Sequence, residues 1–283
     1  MMPKLNILTL SWQGKNKLEK LAPSLISALE GLDWHWFIQE RASSDQSAEY
    51  LHSLDNPRII VCRYQDNRQN FSEGCNYLFN IASPTDSDYV MLLNNDVVFN
   101  DTISINNMLN IMQSDHEVGM VGARLLYTGT NKLQHSGVVY VPKYNTPMHY
   151  RAGQENDIHS MKDREFQGIT GAVCITKSEY YQNIFTNKDG NKGLCQELFW
   201  AFDDSDGCLA IKYNMGKKIV YCGATNISHE ESASLKKNPI NKLFLSHNLS
   251  YFLNKWRGRY EIDFEAYTKD KNKGLYEAPK VKS

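Results

Sequence analysis

The chain has 283 residues, 41% hydrophobic and 22% charged. That is the balance of an ordinary folded protein with one large domain or two modest ones, not a disordered chain. Its 31 Lys and Arg against 32 Asp and Glu leave a formal charge of −1, which argues against a binder of duplex nucleic acid, where a basic excess is usual. No run approaches the roughly 18 apolar residues of a membrane span, and the apolar N-terminal stretch is too short for a secretory leader, so a cytoplasmic location is expected. Cys62, Cys75, Cys174, Cys195, Cys208 and Cys222 form no Cys-x-x-Cys pair and read as buried free thiols.

In chain order, short apolar runs predict strands at 5–10, 34–38, 58–62, 89–93, 137–141, 172–176 and 218–222. Between the early ones lie helical patterns. Leu18, Leu21, Leu25, Leu29 and Leu32 recur at spacings of three and four. Ser43 or Ser44 is the expected N-cap of a helix over 46–54 and Ser72 that of a helix to about 82. A further helix is expected over 103–112. Strand–helix–strand repetition predicts an α/β fold with a mostly parallel central sheet flanked by helices, in which ligands bind outside the carboxyl ends of the strands. Asn238-Pro239 would open a last helix carrying Phe244, Asn248, Phe252 and Trp256 on one face, stopped at Gly258. The stretch 240–259 is basic and aromatic, which fits either packing on its own domain or peripheral contact with an anionic membrane. Residues 268–283 read as a solvated tail.

Four polar groups stand out, three of them after strands and one ahead of a helical run. Asn94-Asn95-Asp96 is either a strand-end turn or a set of hard oxygen ligands for Mg²⁺ or Mn²⁺. Asp203-Asp204-Ser205-Asp206 exceeds what a helix N-terminus needs, and clustered carboxylates raise one another's pKa, as suits a general base. His229, in the polar run after 222, is either an exposed loop residue or a metal ligand. Glu40 to Asp45 either caps a helix or accepts bonds from a nucleoside. There is no Gly-x-Gly-x-x-Gly, no phosphate-binding P-loop, no Gly-x-Ser-x-Gly and no His-Glu-x-x-His.

The order of these segments, over roughly residues 5–256, resembles the family 2 inverting glycosyltransferases of the GT-A fold, especially their bacterial rhamnosyltransferase-like branch. Leu93-Asn94-Asn95-Asp96-Val97 resembles the family's metal-binding segment, Gly168-Ile169-Thr170-Gly171-Ala172 its Val-Thr-Gly-Ala motif, and Phe202-Asp203-Asp204-Ser205-Asp206 its Glu-Asp-x-Asp. Leu133-Gln134-His135-Ser136-Gly137 and the run from Ala224 to His229 match in the same order. Glu40 stands where the family has Asp, Asn94 replaces the first acid of the metal motif, Ala210 replaces an Arg, and Gly193-Leu194-Cys195-Gln196-Glu197 is a degraded Gly-Gly-Phe-Asp-Glu.

The resemblance implies Asp204 as catalytic base and Asp96 and His229 as metal ligands. Leu10, Glu40, Asp45, Asn76, Asn94 and Asn95 would lie at the nucleotide, and Gly171, Ala172, Trp200, Asp203 and Asp206 on the sugar or acceptor side. It implies Mn²⁺ or Mg²⁺, a UDP- or dTDP-linked sugar donor and a glycan or lipid-linked glycan acceptor in cell-surface polysaccharide synthesis. A GT-A catalytic domain is expected over 1–232, with a nucleotide-binding half over 1–100 and an acceptor half over 101–232. A helical extension would follow over 233–267. The alternatives are a non-catalytic carbohydrate- or nucleotide-binding module on the same fold, or a metal-dependent nucleotidyltransferase. The sequence is rich in aromatics, with 16 Tyr, 11 Phe and 5 Trp, and Tyr127, Tyr140, Tyr144, Tyr150, Phe166 and Trp200 are expected to face sugar and acceptor.

Overall fold

The computed structural model describes residues 3–65, 69–143, 145–186, 190, 192–199, 201–230 and 240–279, with only the backbone course of 240–243. The strands are β1 Leu5–Ser11, β2 Trp34–Glu40, β3 Ile59–Arg63, β4 Tyr89–Leu93, β5 Val97–Phe99, β6 Val118–Tyr127, β7 Leu133–His135, β8 Val138–Val141, β9 Thr146–His149, β10 Arg164–Phe166, β11 Val173–Lys177, β12 Phe185–Thr186, β13 Lys192–Gly193 and β14 Lys218–His229. The helices are α1 Lys15–Ala28, α2 Ser47–Ser53, α3 Phe71–Ala82, α4 Ser104–Ser114, α5 Ser178–Tyr181, α6 Asp203–Leu209, α7 Ile240–Trp256 and α8 Phe264–Lys269, with a π-helical turn over Ala210–Asn214 after α6.

One sheet runs β10-β14-β6-β11-β4-β1-β2-β3, with β5 added to β14 and β7 to β6. β3, β2, β1 and β4 pair in parallel, and so do β6 and β14. β11 runs antiparallel between these two halves. The central strands β1 and β4 are buried on both faces because helices or loops cover them; Leu5, Ile7, Leu8, Val90, Met91, Leu92 and Leu93 are all buried, and so are the polar Asn6, Thr9 and Ser11 of β1.

The seven expected strands are present, and β6 is an additional long one. Its sequence breaks the apolar pattern at Gly119, Gly122 and Arg124, and packing explains each. A Cβ on Gly122 would sit 2.6 Å from the Cβ of Ile169, and one on Gly119 2.7 Å from that of Lys217. Buried Arg124 donates to the Thr225 carbonyl at 2.8 Å and to Asn156 at 2.9 Å. The strand predicted over 218–222 continues to His229, because β14 slips register between Cys222 and Ile227 and then resumes its pairing.

Two caps differ from expectation. Asn70, not Ser72, caps α3, in a capping box with Glu73; Ser72 is buried inside the first turn. At α2 neither Ser43 nor Ser44 is the cap; the Asp45 carboxylate takes the Ser47 N–H at 3.1 Å.

On α7, Asn248, Phe252 and Trp256 are fully buried, and Phe244 stacks on Phe199 at 4.5 Å; the expected Asn238-Pro239 cap lies outside the described residues. This face packs on α6. Trp256 Nε1 donates to Asp206 Oδ1 at 2.7 Å, and Lys255 Nζ reaches the same carboxylate at 2.8 Å. The segment after 268 is largely exposed yet tied to the sheet edge: Glu165 donates its N–H to the Gly274 carbonyl at 2.7 Å, and Tyr276 its own to the Asp163 carbonyl at 3.0 Å.

Asp206 is 0% exposed, so removing it leaves an ammonium and an indole N–H without their shared acceptor. Asp206→Ala is expected to lower folding stability by about 2–3 kcal/mol, read as a drop in the urea midpoint at unchanged slope. An unchanged midpoint would mean that the α6–α7 tie carries no stability.

Candidate active site

At the carboxyl ends of β1, β4 and β14 lies a cleft of about 810 Å³, where an open α/β sheet exposes strand-end side chains. Asn94-Asn95-Asp96 turns the chain from β4 into β5. β5 then pairs with the end of β14, Val97 opposite His229, and Glu230 donates its N–H to the Asp96 carbonyl at 3.0 Å. This crossing brings two residues 133 positions apart face to face, His229 Nε2 lying 3.1 Å from Asp96 Oδ1. Lys17 Nζ from α1 lies 3.4 Å from Asp96 Oδ2, and Asn94 Nδ2 lies 3.4 Å from His229 Nε2. His229 is therefore the last residue of a strand and not a loop residue.

The imidazole nitrogen His229 Nδ1 is buried without a hydrogen-bond partner among the described residues. A carboxylate and an imidazole at this spacing are a suitable donor pair for Mn²⁺ or Mg²⁺. Among the described residues no group of three or more His, Cys, Asp or Glu side chains could hold a metal.

Across the cleft, α6 opens after Phe202, a non-glycine residue in the left-handed region at φ 72°. Such a backbone costs about 1–2 kcal/mol, and it persists with the Phe202 ring stacked on Phe252 at 5.2 Å. The turn points Asp203 and Asp204 into the cleft. Asp204 Oδ2 accepts the Gly171 N–H at 3.2 Å and Oδ1 the Ser205 N–H at 2.7 Å. Gly171 packs closely here: a Cβ on it would lie 3.3 Å from the Asp204 Cβ. Burial, and then the neighbouring Asp204 charge, push the Asp203 carboxyl up to about 7.

Leu10, Asn94, Asp96, Gly171, Ala172, Asp203, Asp204 and His229 all line this cleft. Asn95 stands just behind it, donating to Ser11 Oγ at 3.1 Å. Four other expected site residues are used inside the fold. Glu40 is fully buried, with Oε1 accepting the Ser43 N–H at 2.7 Å and Oε2 3.6 Å from Arg63. Asp45 ties α2 to the start of α1, accepting the Lys15 N–H at 2.8 Å; its pKa stays below the usual range because backbone and Ser47 hydrogen bonds outweigh burial. Asn76 staples α3 to the β13 segment through the Leu194 carbonyl and N–H, at 2.9 and 2.8 Å. Asp206 is the α6–α7 tie and is not among the residues that line the cleft. Trp200 lies outside the described residues.

The aromatic expectation is also corrected. Tyr140 and Phe166 are core residues, and neither Tyr127 nor Tyr150 lines the cleft; Tyr144 lies outside the described residues. The rings that do line it are Trp12, Phe71, Phe199 and Phe202. Trp12, 56% exposed, was legible in the sequence as a polar-flanked indole directly after a buried strand. Arg41 had no such signal. It gains its place because Gly74 leaves the space where its guanidinium lies, donating to Gln39 Oε1 and the Gln69 carbonyl at 2.9 Å each. Gln134 and His149 were likewise missed as wall residues. Gln134 is buried with Oε1 unpartnered among the described residues, and its carbonyl lies 3.1 Å from His149 Nδ1.

A mixed, mostly parallel sheet flanked by helices in this order is the GT-A architecture, and solved structures share the fold. The fold matches S. aureus TarS 1-349 in complex with UDP-GlcNAc with a TM-score of 0.61 at 10% identity, over 95% of this chain and 72% of that one. It matches GalNAc-T7 with UDP, GalNAc and Mn²⁺ at 0.64 and 11% identity, over 95% and 51%. For the mannosyltransferase PcManGT of Pyrobaculum calidifontis with GDP-Man and Mn²⁺ the values are 0.57 and 10%, over 95% and 79%. Residues 13–185, more than half of the chain, match the profile of glycosyl transferase family 2, and the chain belongs to that family. It is 22% identical over 210 residues to the O-antigen chain rhamnosyltransferase WbaN of Salmonella anatum, a match over 70% of this chain and 61% of that protein. The chain thus spans about three fifths of that relative's length.

The raised Asp203 carboxyl has a consequence for stability. The unfolded chain ionises it near its ordinary value of 3.8 and the folded chain only near 7, so the folded state binds more protons in between and loses stability as pH rises through that window. Asp203→Asn removes this loss. Its urea midpoint relative to the parent is expected to rise between pH 4 and pH 7 and to level off above; parallel pH curves for the two proteins would contradict the assignment.

Proposed function

We propose that the protein is an inverting, metal-dependent glycosyltransferase that moves a hexosyl or deoxyhexosyl unit from a nucleotide-diphosphate donor, UDP- or dTDP-linked, to a hydroxyl of a glycan or lipid-linked glycan. The carrying observation is one cleft holding the Asp96–His229 pair on one wall and the Asp204 carboxylate on the other. Support for the substrate class comes from the nucleotide sugars named with the similar structures, and for polysaccharide synthesis from the O-antigen relative. A catalytic domain over 1–232 and a helical extension over 233–267 are part of the proposal. No helix among the described residues is long and apolar enough to cross a membrane. Work at the cytoplasmic face, with peripheral contact through 240–259, is part of the proposal.

The residues divide the work by position. Trp12 offers an exposed indole for a nucleobase to stack on. Asp96 and His229 would hold Mn²⁺ or Mg²⁺, which supplies positive charge to the departing diphosphate. The Lys17 ammonium, beside Asp96, adds charge of the same sign. Gln134 Oε1 gives the sugar side a buried acceptor that a hydroxyl can satisfy. Asp204 takes the proton from the acceptor hydroxyl as that oxygen attacks the sugar carbon opposite the leaving group. The Gly171 and Ser205 N–H groups hold its carboxylate in place. One base and one displacement invert the carbon.

Asp204→Asn is expected to cut transfer by about 10²–10⁴-fold while the affinity for UDP with Mn²⁺, measured by calorimetry, stays within a factor of about two. Near-normal transfer by Asp204→Asn would remove Asp204 from the role of base. Chelation should abolish transfer and added Mn²⁺ or Mg²⁺ restore it; full activity in chelator would refute the metal assignment. A thermal-shift screen of UDP-, dTDP- and GDP-linked sugars with Mn²⁺, followed by a transfer assay with the best binder, tests the reading as a whole.

A further inference from the structure

A second cavity, of about 290 Å³, shares no lining residue with the cleft and lies between the 150–164 segment, β14 and the chain from the end of α8. Its wall includes Arg151, Arg164, Lys271, His159, Asp157 and Tyr221. Arg164 is only 5% exposed, and a buried arginine is normally paired with an acid. This one is not. Its guanidinium donates to the main-chain carbonyls of Lys273 and Lys271, at 2.6 Å each, and no carboxylate among the described residues lies within ion-pair distance. Lys271, exposed on the rim, has no acid partner among them either.

The only acid on this wall among the described residues, Asp157, is taken by Arg151 at 2.8 Å, a pairing that holds its carboxyl well below the usual range. The wall thus carries three cations and one anion, in a chain whose overall charge is −1. The hydroxyl of Tyr221 is spent on the Ser160 carbonyl at 2.6 Å. His159 Nδ1 is buried with no hydrogen-bond partner among the described residues. What the wall offers a ligand is the positive charge of Arg164 and Lys271, neither of which has a carboxylate within ion-pair distance among the described residues.

We infer that this cavity is an anion site, separate from the catalytic cleft, that takes a single phosphate or carboxylate group between Arg164 and Lys271. The volume admits an oxyanion alone or one attached to a single sugar ring. Because Arg164 also grips the main chain of the C-terminal segment, an anion here would link that segment to β10 and neutralise the buried charge.

The test is calorimetric titration of the intact chain with inorganic phosphate, in chloride buffer of matched ionic strength, with saturating UDP and Mg²⁺ to occupy the cleft. Glucose 1-phosphate and glucuronate are titrated in parallel. The expected result is one site with a Kd of about 1 mM or tighter, weakened about tenfold or more by Lys271→Glu and unaffected by Lys20→Glu, an exposed control on α1. Tighter binding of a sugar-linked anion would place the group on a glycan; equal binding of phosphate would make the ligand a free oxyanion. No binding beyond chloride, loss of binding when UDP is present, or full affinity in Lys271→Glu would overturn the inference. None of these outcomes bears on whether the cleft transfers sugar.

Discussion

The short antiparallel pairing of β5 with the end of β14 is the constraint on which the site depends. It locks the main chains on both sides of the Asp96–His229 pair, so the two side chains meet without relying on their own attraction. A carboxylate and an imidazole placed by loops alone would have to overcome side-chain entropy for each contact. Here the sheet has already fixed them. The same crossing is possible only because β14 slips register after Cys222 and recovers its pairing with β6 at Ile227, a local irregularity of the kind found beside functional sites.

The opposite wall is held by the reverse arrangement. Asp203 and Asp204 sit side by side where their charges repel, on a helix that starts from a left-handed Phe202. Both features oppose folding. The stacked Phe202–Phe252 rings and the Asp206 tie to Trp256 and Lys255 restrain the helix from behind. Three aspartates in four positions thus do two jobs: two face the cleft, and the third anchors the helix that presents them.

Much of this was readable one-dimensionally. The strands from β1 to β4 are short apolar-rich runs, β4 an unbroken one, and Asn94-Asn95-Asp96 follows it abruptly, so both the sheet and the position of Asp96 could be read directly. Glu40, Asp45, Asn76 and Asp206 could not be sorted from cleft residues in the same way. Each is a polar residue in a segment next to the site, and polarity alone does not say whether a side chain meets a ligand or a backbone N–H. Asn76 faces Leu194, 118 positions away, and Asp206 faces Trp256, 50 positions away; partners this distant leave no local trace. β6 was hidden for a related reason, since its glycines answer to Ile169 and Lys217.

By itself, then, the sequence determined the α/β class, the order of the elements and the residue types at the strand ends, because hydrophobic periodicity and chain order are local properties. Tertiary structure alone decided which of the acids face the cleft and which are spent holding helices together. It also decided that Trp12, Arg41, Gln134 and His149 join the wall, and that Arg164 is buried without an acid. Burial and pairing are set by residues far apart in the chain, and a charge has no function assigned to it until the fold has placed its partner.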